Sequence, residues 1–188
     1  ANFEEDYSGA TFQGSYIGGV YYPDKTRVGW WKNGYPEYFA KVLNAPSWIG
    51  IKVIVNGESL DLHTCKEVKD FRRELDMKAG VLYRSFKATL QNDVDIAVKA
   101  TRFLSMEMDE VGAIKYEVTP INVDATISYE PYLDSGITNE DSNWDDKFWN
   151  TLEVSENDDM AFITAHTMKT EFHVCTMMQN KLFIDGDE

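Results

Sequence analysis

Alternation of apolar and polar side chains with a period of two constrains this chain more than any other feature. Only a pleated strand sends successive residues to opposite faces. In the clearest stretch Val94, Ile96, Val98, Ala100, Leu104 and Met106 share one face, interrupted by Arg102, while Asp95, Lys99, Thr101 and Ser105 share the other. Ile114, Tyr116 and Val118 alternate with Lys115, Glu117 and Thr119, and Ala125, Ile127, Tyr129 and Leu133 alternate with Thr126, Ser128, Glu130 and Tyr132. Ile51, Val53 and Val55 do the same and then meet Asn56-Gly57, a pair suited to the positive φ angles of a type I′ hairpin. The pattern predicts further strands over 11–22, 71–75, 81–90, 160–168, 172–178 and 181–184. Gly14, Gly18 and Gly19 lack the spacing of a phosphate-binding loop, and inside a strand they predict a bulge or a close backbone approach.

Two segments depart from the pattern. Trp144, Phe148, Trp149 and Leu152 sit at helical spacing, with Ser142 or Asn143 as an N-cap and Asp145 and Asp146 in the first turn, which predicts a short helix. Pro36 suits a first helical position and predicts a second helical turn. The expected fold is therefore mainly all-β: one large antiparallel β-sandwich over residues 1–188 with one or two short helices.

Composition bears mainly on partners. With 18 basic and 32 acidic side chains the net charge is -14, which repels phosphate backbones and anionic lipid, so neither nucleic acid nor a membrane surface is an expected partner. No apolar run approaches the roughly 20 residues of a membrane span. The first residues, Ala-Asn-Phe-Glu-Glu-Asp, have neither the basic nor the apolar region of a secretory leader. Cys65 and Cys175 lie far apart, without CxxC spacing, and read as buried free thiols, a usage that suits a cytoplasmic protein.

Residues that could carry chemistry are few. Asp134, Glu140, Asp141, Asp145 and Asp146 could supply a carboxylate pair for a sandwich hydrolase. A solvated loop and a helix N-terminus explain them more simply, and their spacing is not that of a calcium loop. His166 and His173 could meet across a hairpin, but no HExxH or related motif adds a third metal ligand, and no GxSxG elbow marks a nucleophile. No catalytic residue, cofactor site or metal site is therefore assigned. The aromatics are more suggestive: Tyr21, Tyr22, Trp30, Trp31, Tyr35, Tyr38 and Phe39 crowd one stretch. Trp30, Trp31, Tyr35 and Trp144 are the candidate surface for a sugar ring or a neighbouring domain, the alternative being a loop packed over the sandwich.

Several stretches, in order along the chain, resemble the N-terminal region of glycoside hydrolase family 65, and its maltose-acting phosphorylases in particular. They are Asn2-Phe3-Glu4-Glu5-Asp6-Tyr7-Ser8-Gly9, Gln13-Gly14-Ser15-Tyr16-Ile17-Gly18-Gly19, Tyr38-Phe39-Ala40-Lys41-Val42-Leu43-Asn44-Ala45-Pro46-Ser47-Trp48 and Leu62-His63-Thr64-Cys65-Lys66. Asp70-Phe71-Arg72-Arg73-Glu74-Leu75-Asp76-Met77 before a strand ending near Arg84-Ser85-Phe86, Arg102-Phe103-Leu104-Ser105-Met106, Asn139-Glu140-Asp141-Ser142-Asn143-Trp144 with Lys147-Phe148-Trp149, and Thr170-Glu171-Phe172-His173-Val174-Cys175 complete the set. The resemblance implies a super-sandwich of the galactose-mutarotase-like type, followed in the parent enzyme by a helical linker, an (α/α)6 barrel and a small C-terminal β-domain. It implies inverting phosphorolysis, in which phosphate attacks the anomeric carbon of an α-linked disaccharide and a glutamic acid protonates the leaving oxygen. Maltose would give β-glucose 1-phosphate and glucose, with phosphate as a substrate and no cofactor. The acid and the phosphate site belong to the barrel, so the resemblance carries no catalytic residue onto this chain. It makes the barrel the chain's partner and a homodimer the expected state of the parent. It further implies an incomplete sandwich, with more family sequence before Asn2 and beyond Glu188, and apolar surface exposed where the barrel would cover it. An independent carbohydrate-binding module built on Trp30, Trp31 or Tyr35 is the competing expectation.

Overall fold

The computed structural model describes residues 3–9, 14–26, 34, 36–139 and 147–187. Its elements are twelve strands: β1 (Tyr16–Lys25), β2 (Tyr38–Asn44), β3 (Ser47–Val55), β4 (Glu58–Ser59), β5 (Glu67–Asp76), β6 (Val81–Thr89), β7 (Asp95–Leu104), β8 (Gly112–Pro120), β9 (Ile127–Asp134), β10 (Trp149–Glu156), β11 (Met160–Thr167) and β12 (His173–Gln179). Among the described residues there is no helix. The strands form four sheets ordered β1-β2, β10-β11-β12, β4-β3-β9 and β5-β6-β7-β8. Two compact units emerge, one from Ala1–Asn2, Phe12–Gly50 and Tyr132–Glu188, the other from Phe3–Thr11 and Ile51–Pro131, so the division falls inside β3 and β9.

The unit containing Ile51–Pro131 is a small sandwich. The sheet β5-β6-β7-β8 is antiparallel throughout, and its register aligns Arg73, Arg84, Ala100 and Tyr116 in one row and Phe86, Val98 and Val118 in the next. Side chains from its inner face close on β3 and β9 around Val53, Val55, Leu60, Phe86, Ala88, Leu90, Val94, Ile96 and Val98. Ile127, Tyr129 and Val118 pack at the edge of that core. The alternation on β7 is therefore realised through Ala100 and then stops: Arg102 is half-buried, while Leu104 and Met106 are exposed, Met106 at 92%. The Asn56-Gly57 turn has φ +50 and +82, both positive as the type I′ geometry requires, and it joins β3 to β4 with Val55 opposite Glu58.

The unit containing Tyr132–Glu188 has a core of Val20, Tyr22, Leu43, Ala45, Ile137, Phe148, Trp149 and Ala165. The Tyr22 and Phe148 rings meet edge to face, 4.7 Å apart. β1 and β2 are antiparallel, and their register slips between Tyr16 and Tyr21, where Gly19 has φ +84, so the expected bulge sits at the paired glycines.

Both helical expectations need correction where they can be compared. Pro36 does not begin a helix: Tyr38 already pairs with Lys25 as the first residue of β2. Trp149 and Leu152 lie on β10, which pairs with β11 from Trp149↔Thr167 to Glu156↔Ala161. A bulge between Thr151 and Glu153 admits Leu152 as the extra residue. Residues 142–146 of the proposed helix lie outside the described residues. The strand expected over 181–184 reduces to a single bridge between Ile184 and Asp187.

Candidate functional site

The sequence-derived contact residues Trp30, Trp31, Tyr35 and Trp144 lie outside the described residues, as do Glu140, Asp141, Asp145 and Asp146. Asp134 ends β9, where its Oδ1 accepts a 2.7 Å bond from the Gly136 N–H, a turn rather than a catalytic position. His166 and His173 do meet across β11 and β12 as direct partners, with ring centroids 5.5 Å apart. No group of three or more His, Cys, Asp or Glu among the described residues could hold a metal ion. Both cysteines are unpaired, Cys65 half-buried but Cys175 exposed, which corrects the expectation of two buried thiols. Burial, reinforced by Asp61 and Glu58, pushes the Cys65 thiol up to about 11, so it is protonated at neutral pH and a poor nucleophile.

The strongest concentration of charge is one the alternation only hinted at. Residues 3–9 lie in the same unit as the four-stranded sheet, held to β3 by the Ile51 N–H donating to the Glu4 carbonyl at 2.7 Å. This places Glu4 and Glu5, only 2% and 3% exposed, against Arg84, which is 4% exposed. Arg84 donates to both oxygens of Glu5, at 2.5 and 2.6 Å, and through Nη2 also to Glu4. The Tyr116 hydroxyl donates to Glu5 Oε2 at 2.9 Å. Arg102 Nη1 stands 3.1 Å from Glu4 Oε1, an ion pair whose angle does not make it a hydrogen bond. The Phe3 ring lies under the guanidinium groups of Arg84 and Arg73, at 5.0 and 5.2 Å from its centroid.

The electrostatics follow from this geometry. Burial would favour the neutral form of Arg84, but hydrogen bonding and attraction from Glu5, with Glu4, outweigh it and hold the guanidinium charged above its usual range. Burial first, then the Glu5 carboxylate, pushes the Tyr116 phenol well above its ordinary value of 10.0. Burial lowers Arg102, with Glu4 opposing it.

What can the cluster do? Acid–base work on a sugar needs two carboxyls facing a pocket, one of them able to exchange a proton with substrate. Glu4 and Glu5 instead share one guanidinium and have almost no exposed surface, so the arrangement is a lock that fastens residues 3–9 to the sheet. On the other face of that sheet a shallow depression of about 350 Å³ is lined by Arg72, Glu74, Tyr83, Ser85, Lys99 and Glu117, among others. Arg72 pairs there with Glu74, and Lys115 with Glu117, as expected of a solvated face.

The lock predicts an alkaline signature. Because the folded state holds the Tyr116 phenol above 10.0, this group's contribution is complete below pH 10 and is lost as pH rises through the folded value. Tyr116→Phe is expected to cost about 1.5–3 kcal/mol at neutral pH, the range for a bond to a charged partner. It should also flatten the decline above pH 10. Urea unfolding of both forms at pH 8 and above pH 10 checks this, and parallel declines would remove Tyr116 from the lock.

Comparison with known proteins adds the following. The model of the glycosyl hydrolase family 65 N-terminal domain matches residues 1–188. Maltose phosphorylase of Bacillus subtilis (strain 168) is 46% identical over 171 residues, covering 91% of this chain and 22% of that protein. The α,α-trehalose phosphorylase of Thermoanaerobacter brockii is 30% identical over 205 residues, covering 98% of this chain and 25% of that protein. A solved structure described as "Putative kojibiose phosphorylase from human microbiome" superimposes with a TM-score of 0.78 at 27% identity, covering 98% of this chain and 24% of that one. The chain thus spans about a quarter of the length of these relatives.

Proposed function

Because the chain belongs to the glycosyl hydrolase family 65 N-terminal domains, we propose that it is the non-catalytic β-sandwich scaffold of a disaccharide phosphorylase whose substrate is maltose. The observation that carries the choice of maltose is the 46% identity to a maltose phosphorylase, against 30% to a trehalose phosphorylase. Support for a scaffold role comes from the fate of the buried carboxylates: Glu4 and Glu5 are committed to Arg84 and have almost no exposed surface. In the parent enzyme a phosphate oxygen bonds to the anomeric carbon, the glycosidic C–O bond breaks, and the departing oxygen takes a proton from a glutamic acid of the catalytic barrel. The scaffold's part is to support that barrel. The parent is cytoplasmic and homodimeric in this reading, and phosphate is its co-substrate rather than a cofactor.

The test uses the full-length enzyme and residues 1–188 side by side. With maltose and phosphate the full-length enzyme is expected to release β-glucose 1-phosphate, with kojibiose and trehalose turned over far more slowly, and residues 1–188 alone to release none. Turnover by residues 1–188 would overturn the scaffold role. A preference for trehalose or kojibiose would overturn the substrate, and saturable binding of maltose to residues 1–188 would restore the carbohydrate-binding module.

A further inference from the structure

The two-stranded sheet β1-β2 has no third strand among the described residues, and apolar side chains stand on both of its faces. Its inner face sends Val20, Tyr22 and Leu43 into the core and buries the Lys41–Asp24 ion pair, 3.5 Å apart. The pleat sends the intervening residues the other way. There the cross-strand pairs are Tyr21↔Val42, Pro23↔Ala40 and Lys25↔Tyr38. All six are exposed, and the one charge among them, Lys25, is met by Glu37 at 3.5 Å.

A ribbon that faces water on its second side normally carries polar residues there. A hairpin of two strands is also marginal on its own. An aromatic and aliphatic strip along such a ribbon therefore marks a contact surface. It is also the described part of the aromatic-rich stretch in which Trp30, Trp31 and Tyr35 stood out.

We propose that the outer face of β1-β2 is the surface on which the rest of the phosphorylase polypeptide, outside residues 1–188, packs against this domain. The proposal rests on the reading above. Two observations favour this occupant. Most of the polypeptide of a relative such as the Bacillus subtilis maltose phosphorylase lies outside the matched region, which is 22% of its length. A second copy of this chain is the less favourable occupant, since each carries a net charge of -14 and the strip offers no free cation to offset the repulsion. The complementary surface is therefore apolar at its centre, with hydrogen-bond acceptors at its rim for the Tyr21 and Tyr38 hydroxyls.

Photo-crosslinking in the full-length enzyme tests this. p-Benzoylphenylalanine is placed at position 42 and, separately, at position 38, both exposed, so that a folding defect in one leaves the other informative. The expected product is an internal cross-link to a peptide outside residues 1–188, lost from position 38 when Val42→Glu is added. A product of doubled mass joined through this strip would overturn the proposal in favour of a second copy. Cross-links confined to residues 1–188, or none at all, would overturn it outright. Phosphorolysis measured on the same preparation judges the functional reading separately: an internal cross-link in an enzyme that does not cleave maltose would sink that reading alone.

Discussion

Arg84→Leu is expected to lower the unfolding free energy of the Ile51–Pro131 unit by about 3–5 kcal/mol, the cost of removing one member of a buried charge cluster. The substitution leaves Glu5, which is 3% exposed, with the Tyr116 hydroxyl as its remaining described hydrogen-bond donor, and leaves Glu4 facing only the misaligned Arg102. A whole domain is stable by roughly 5–15 kcal/mol, so the loss is a large part of the total. The same argument makes a second, less intuitive expectation. Replacing the whole cluster by apolar residues, Glu4→Met, Glu5→Leu and Arg84→Met together with Arg102→Met and Tyr116→Phe, should recover most of the loss, because the penalty lies in charges and polar groups stranded out of water rather than in a missing attraction. Amide hydrogen exchange at β6 and β7 is the suitable readout. A fully apolar variant as unstable as Arg84→Leu would show that the cluster acts through its geometry and not through desolvation.

The lock also shows where sequence reading stops. Its ionic partners are 79 and 80 positions apart, and no spacing rule connects them. What the sequence did contain was a fault in the pattern: Arg102 interrupts the apolar face of β7, and Arg84 interrupts that of β6 between Leu82 and Phe86. A buried cation needs an anion, so these faults predict a buried carboxylate somewhere in the chain. Nothing local says that it comes from Glu4 and Glu5. Where one face of a strand is wholly apolar the reading succeeds, because burial alone sets the alternation. Val94, Ile96, Val98 and Ala100 are all buried as expected, and Asn56-Gly57 turns where its backbone preference dictates. β2 was obscured by Pro36, whose restricted φ suits an extended approach to a strand as well as a helix start. The candidate contact residues were chosen on aromatic content and lie outside the described residues; of their described neighbours, Tyr21 and Tyr38 are exposed while Tyr22 is buried. Composition could mark the stretch but not divide it between faces. Only the pairing with β2 does that.

β10 is the sharper lesson, and it carries the other large effect. The spacing of Trp144, Phe148, Trp149 and Leu152 reads as a helix face, yet Trp149 is the first residue of a strand, 6% exposed, with its indole N–H donating to the Asn44 carbonyl at 2.8 Å. Asn44 is itself a hub: its N–H donates to Asn139 Oδ1 at 2.9 Å, and its side chain accepts from the Ser15 N–H at 2.7 Å and donates to the Thr138 carbonyl. The long-range bond and the pairing with β11 override a helical preference that is weak for Trp and Thr in any case. Trp149→Ala is expected to cost about 3–5 kcal/mol, since it empties a large volume in the core shared with Tyr22, Phe148 and Ala165. Trp149→Phe keeps much of that volume and removes only the bond to the Asn44 carbonyl, for about 0.5–1.5 kcal/mol. The order of the two losses is the discriminating result, read by urea unfolding followed in far-ultraviolet circular dichroism. Equal stability of Trp149→Phe and the unsubstituted chain would show that the Asn44 bond adds nothing to the packing of Trp149. A loss for Trp149→Phe as large as that for Trp149→Ala would show that the bond, rather than the filled volume, holds β10 in place.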